Sequence, residues 1–151
     1  MNKEVSFPIA KLLKEKNIKI DTEEVLFYRD EVNNIEEHQI KNRDVIYRAD
    51  FNYIVDENEY QTYTIGEVVM WLYEKQGVWI SVELCIVGSD EWEYGYKVVY
   101  LPKEFENAKR RAIYLATKES FQEGMSSYSG AWHTPTEAYE AAIEYTLNNL
   151  L

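Results

Sequence analysis

Two histidines and one cysteine limit what this chain can do with nitrogen and sulfur ligands. His38 lies in a polar stretch, His133 just ahead of a helix start, and Cys85 within a strand pattern. A zinc site wants three or four such ligands at motif spacing, so neither a metal nor another cofactor is expected. Cys85 reads as a small apolar packing residue, since a nucleophilic thiol needs an exposed, electropositive setting. Gly66, Gly77, Gly88, Gly95, Gly124 and Gly130 fall into neither a P-loop nor a dinucleotide spacing.

Carboxylates are the abundant chemistry. Asp21/Glu23/Glu24, Glu36/Glu37, Asp56/Glu57/Glu59 and Asp90/Glu91/Glu93 could supply a general acid and base. All of them sit at turns or strand ends, where solvated charge is placed anyway, and no pair stands out. Two other features could contact a partner. Lys109-Arg110-Arg111, with Lys103 and Lys118, suits a carboxylate-rich or phosphate-bearing surface, or equally the glutamates of the last helix. The small-residue loop of residues 126–133 presents Tyr128, Trp132 and His133, and aromatics on such a loop offer contact area with few torsions to freeze. Trp132 equally suits a hydrophobic staple under the helix that follows.

The elements that must position these groups are organised around residues 63–87. Thr64 and Glu67 form a capping-box pattern, Ile65, Val68, Val69, Leu72 and Gln76 share one helical face, and Glu67 and Glu74 hold the other. Gly77 stands where a helix takes a left-handed stop, and Val78, Ile80, Val82, Leu84 and Ile86 then alternate as a strand. Upstream, Ser6 and Pro8 start a short helix that places Ile9, Leu12, Leu13 and Lys16 on one face and ends near Asn17. A first strand is expected around residues 25–29. Residues 30–42 read as a hairpin or irregular excursion with Asn33-Asn34 as its turn. The alternation from Val45 through Tyr47, Ala49, Phe51 and Tyr53 to Val55 predicts one long strand, followed by an acidic turn over 56–61.

Downstream, a turn at residues 88–91 joins the central strand to the alternating Tyr94, Tyr96, Val98 and Tyr100, predicting an antiparallel hairpin that Pro102 ends. Phe105, Ala108, Ala112 and Leu115 recur at helical spacing, although residues 113–115 would also make a strand, and a short helix is expected over 118–125. Thr134, Pro135 and Glu137 open the last helix, with Tyr139, Ala142, Ile143, Thr146, Leu147 and Leu150 inside and Glu137, Glu140, Glu144 and Asn148 outside. This order predicts a single α+β domain over residues 1–151, a mostly antiparallel sheet with helices packed on one face.

A net charge of -11 argues against direct attraction to nucleic acid or an anionic membrane, although the basic segment makes residues 97–118 locally positive. One cysteine forms no internal disulfide, residues 1–5 are polar and charged, unlike a signal peptide, and no window approaches a membrane span. A cytoplasmic location is expected. Thirteen tyrosines suit both sheet faces and binding surfaces.

Three stretches carry a resemblance: the opening from Ser6 to Lys16, the Thr64 to Leu72 helix running into Val78 to Glu83, and Pro135 to Ala142. Together they resemble uncharacterised small acidic proteins of phages and mobile elements from Bacteroides-type bacteria. The resemblance rests on packing residues and implies a phage or prophage origin, with no assigned activity and no catalytic residues. The expected function is that of a non-enzymatic accessory or interaction protein binding another protein, or itself, through aromatic and charged surface. Two alternatives stand beside it: an acidic nucleic-acid mimic that inhibits a host DNA-binding protein, and a small carboxylate-dependent hydrolase.

Overall fold

A computed structural model describes residues 2–30, 32–35, 38–41, 45–86, 92–100 and 132–151. The turn expected at 88–91 and the helical segments expected between Phe105 and residue 125 lie outside the described residues. The chain's contacts divide it into two compact units, Asn2–Ile65 and Gly66–Leu151.

In Asn2–Ile65, helix α1 (Phe7–Glu15) starts with proline in its first turn and buries Ile9, Ala10 and Leu13. The Ser6 hydroxyl makes no cap bond to the first turn, and the Ser6 carbonyl accepts the first intrahelical bond from Ala10 N–H at 3.0 Å. The helix ends at Asn17, whose φ of 56° is left-handed. Ile18 N–H then reaches the Leu13 carbonyl (2.9 Å) and Asn17 N–H the Lys14 carbonyl (3.0 Å), which satisfies the final turn. Asparagine is among the few non-glycine residues that take this conformation readily.

Strand β1 (Glu24–Arg29) leads to a small antiparallel hairpin of β2 (Val32–Ile35) and β3 (His38–Lys41). Asn33 and Asn34 are therefore strand residues, facing Ile40 and Gln39, and not the turn. The ladder closes at Ile35 and His38, leaving only residues 36 and 37 to connect the strands. β4 (Ile46–Asp50) and β5 (Glu59–Thr62) flank β1 in a three-stranded antiparallel sheet. β4 is half the length that its alternation suggests. Its partner begins at Glu24, opposite Asp50, so no ladder exists beyond that point and Tyr53 N–H turns back onto the Asp50 carbonyl at 2.9 Å. β5 occupies the second half of the expected acidic turn, because Glu59, Tyr60 and Gln61 pair with β1. One sheet face carries Tyr28 and Tyr60, and Phe7 of α1 packs edge-on against both rings, at 5.9 and 5.1 Å between centroids. The first residues are stitched in as well. Val5 N–H donates to the Tyr63 carbonyl and Ile65 N–H to that of Lys3 (both 2.8 Å), while the hydroxyls of Tyr28 and Thr62 donate to the Val5 carbonyl.

Helix α2 (Ile65–Trp71) follows Thr64 directly, and its buried side chains, Ile65, Val68 and Val69, continue with Leu72 along the expected face. It widens into a π-helical turn (Leu72–Gln76), where Gly77 N–H donates to the Leu72 carbonyl and Gly77 adopts φ 68°, the left-handed stop. In Gly66–Leu151, β6 (Val78–Ile86) and β7 (Trp92–Tyr100) pair antiparallel from Val78 opposite Tyr100 to Ile86 opposite Trp92. Helix α3 (Pro135–Asn149) lies on this ribbon, with Thr134 Oγ1 accepting from Glu137 N–H at 3.2 Å. Its Ala138, Ala142, Ile143, Thr146 and Leu147 are buried, as are Val78, Ile80, Tyr96 and Val98 on the ribbon. The alanines allow close approach, and the Thr146 hydroxyl is satisfied by the Ala142 carbonyl at 2.8 Å. The chain is thus α+β with antiparallel sheets.

Candidate functional site

Of the residues that sequence pattern singles out for binding, Lys109, Arg110, Arg111 and Tyr128 lie outside the described residues. Trp132 and His133 sit just before α3. Trp132 exchanges both backbone hydrogen bonds with Tyr94 of β7 (2.8 and 3.0 Å), and its half-buried ring lies 5.2 Å from that of Tyr96. It thereby serves the packing of the ribbon. His133 is exposed, and its N–H donates to Glu137 Oε2 at 3.1 Å. Burial, then Tyr145 and Glu144, push the Tyr96 hydroxyl above its ordinary pKa, consistent with a neutral phenol in that packing.

Among the described residues the densest polar arrangement is elsewhere, on the sheet face opposite Phe7. Glu59, 4% exposed, is set directly across the ladder from Arg29. Its Oε2 accepts from Arg29 Nε at 3.0 Å, and its Oε1 accepts from the Tyr53 hydroxyl (2.7 Å) and from Asp56 N–H (3.0 Å). Arg29 in turn lies over the Tyr47 ring, 4.2 Å from its centroid, and Phe27 stacks between Tyr47 and Tyr53 at 5.7 and 5.0 Å. Burial alone would raise the Glu59 pKa. The three donors outweigh it and hold the carboxyl below its ordinary value. Tyr53 is raised, first by the hydrogen bond it gives Glu59. A carboxylate held ionised by three donors is an anchor, whereas a general acid needs its pKa raised.

What it anchors is the connection between β4 and β5. Lys14, on α1, braces the same segment from the other side, its ammonium donating to the carbonyls of Asp56 (3.1 Å), Glu57 (2.8 Å) and Glu59 (2.7 Å) above the Tyr60 ring. Lys14→Met keeps the aliphatic stem but removes those donors. It is expected to lower unfolding free energy by about 1 kcal/mol, because water replaces part of what is lost at this exposed position. Faster amide exchange at residues 56–59 and a lower urea midpoint would register the change. Between the two anchors the loop carries Phe51 and Ile54 outward, 74% and 83% exposed.

Two grooves border this loop. An open polar one of about 490 Å³ is lined by Glu24, Arg48, Ala49, Asp50, Asn52 and Tyr53. Glu24 and Asp50 meet across the ladder there, although Arg48 Nη1 already lies 3.0 Å from Glu24 Oε1. The other, of about 270 Å³, is lined by Ile18, Val55 and Tyr63 with Lys14, Asn17, Lys19 and Gln61. Among the described residues no group of three His, Cys, Asp or Glu side chains is placed to hold a metal ion. None of their helices is long and apolar enough to cross a membrane.

Sequence pattern missed Phe51 and Ile54. Alternation alone puts Phe51 on the same face as Tyr53 and Val55; the available hint was Asn52, a turn-forming residue in the middle of the run. The chain matches no protein-family model, and no curated protein or solved structure is significantly similar to it.

Proposed function

We propose that this chain is a non-catalytic accessory protein, of phage or prophage origin as its sequence resemblance implies, that acts by binding another protein through aromatic and charged surface. The observation that carries this reading is the exposure of Phe51 and Ile54 on a loop fixed at both ends. Large apolar side chains held out in water by a braced backbone support a docking role, because the ordering that binding demands is already in place. The saturated Glu59 carboxylate supports the non-catalytic part.

A photoreactive benzophenone side chain at position 51 tests this in bacterial extract. A stoichiometric protein adduct is expected, competed away by unlabelled wild-type chain and not by a Phe51→Ala/Ile54→Ala variant. Failure to form any protein adduct, from position 51 or from a matching probe at His133, would overturn the reading.

A further inference from the structure

The loop and the apolar groove of Asn2–Ile65 have opposite electrostatic character. Phe51 and Ile54 are rimmed by acid: Asp50 precedes them, Asp56 and Glu57 follow, and all three are exposed. The groove is floored by Ile18, Val55 and Tyr63 and edged by Lys14 and Lys19. Ile18 is turned into place by the left-handed Asn17 at the end of α1, and Tyr63 is fixed by the Ile20 N–H that donates to its hydroxyl at 3.2 Å. Its volume of about 270 Å³ falls short of the roughly 300–1,000 Å³ of small-molecule sites and suits one large apolar side chain.

We propose that the occupant is a second copy of this chain, with Ile54 of each copy docking in the Ile18–Val55–Tyr63 groove of the other and Phe51 covering the groove's edge. This rests on the reading of the chain as a protein-binding protein and names its partner. An acid-rimmed knob and a base-edged groove on one unit are complementary between copies. Ile54 and the groove residue Val55 are neighbours in the chain, about 3.8 Å apart at Cα, so a two-fold axis beside them makes both contacts at once. Such an exchange is isologous and closes at two chains. It joins small patches between molecules that each carry a net charge of -11, so the dimer is reversible and weak, with a Kd of order 1–100 μM.

Sedimentation velocity over a concentration series tests this with the full chain, its Ile54→Asp variant and its Lys19→Glu variant. Both sites are exposed, so an unchanged melting temperature confirms that each variant folds. Each substitution is expected to weaken the dimer at least about tenfold. A photo-cross-linker at position 54 should join a peptide containing Ile18 or Tyr63 of the other copy. A chain that stays monomeric up to about 1 mM, or a dimer indifferent to Ile54→Asp, overturns the proposal. If position 54 then cross-links a different protein, protein binding stands and only the second copy falls; if no protein adduct forms at all, both fall.

Discussion

Glu59→Ala is expected to lower the unfolding free energy by about 3 kcal/mol, read from urea denaturation. Removing one member of a buried ion pair usually costs about 3–5 kcal/mol. The low end applies because the Arg29 side chain is 34% exposed and can be rehydrated once its partner is gone. Asp56 N–H and the Tyr53 hydroxyl lose the same acceptor, so the β4–β5 connection should loosen and amide exchange at residues 59–62 should rise. Glu59→Gln keeps an oxygen for part of this set and is expected to cost less.

The same carboxylate has a pH signature. Its folded pKa lies below its unfolded value of about 4.5, so its contribution is fully present above that unfolded value and is lost as pH falls through the folded one. Glu59→Gln should therefore flatten the acid limb of stability below about pH 4.5, and an unchanged slope would show that Glu59 is not the group responsible. The alkaline side runs the other way. Tyr53 has a raised pKa, so its contribution is complete below pH 10 and disappears as pH climbs through the folded value, a limb that Tyr53→Phe should remove.

Ile143→Ala is expected to cost about 3–4 kcal/mol, a size set by the cavity left behind rather than by lost hydrogen bonds. Ile143 is fully buried on α3, beside Ala142 and Leu147, in a layer whose two alanines leave few side-chain atoms able to shift into a void. Ile143→Val should cost about 1 kcal/mol, and equal losses for the two substitutions would mean that the layer relaxes freely. Calorimetric melting of the three proteins separates these outcomes.

Elements whose signals are local were legible in the sequence. Gly77 stops a helix because of its own backbone freedom, Thr134 caps one because its oxygen reaches an amide three residues on, and the antiparallel pairing of β6 with β7 follows from alternation on both sides of a short connection. β5 was not legible, because what makes it a strand is remote. Glu59 is buried only because Arg29, thirty residues earlier, faces it across the ladder, and in the sequence it is one more acid beside Asp56 and Glu57. β4 erred in the opposite sense: alternation continues to Val55, but a strand needs a partner and β1 has none to offer past Glu24. The exposure of Phe51 and Ile54 follows from that early ending, so it was hidden by the same missing information. Sequence pattern offers Trp132 as a loop contact or as a staple under α3; its pairing with Tyr94 was not legible, because it depends on a strand nearly forty residues away.

The stitching of Lys3 and Val5 to the backbone around Tyr63 bears on when this segment can be cut. An endoprotease needs an extended, unbonded stretch in its active site, and here residues 3–5 are bridged to the chain just past β5, with two side-chain hydroxyls on a single carbonyl. Cleavage between Lys3 and Val5 should therefore wait for the unfolding of the sheet it is bonded to, and should accelerate in step with a Thr62→Val or Tyr28→Phe substitution that frees the Val5 carbonyl.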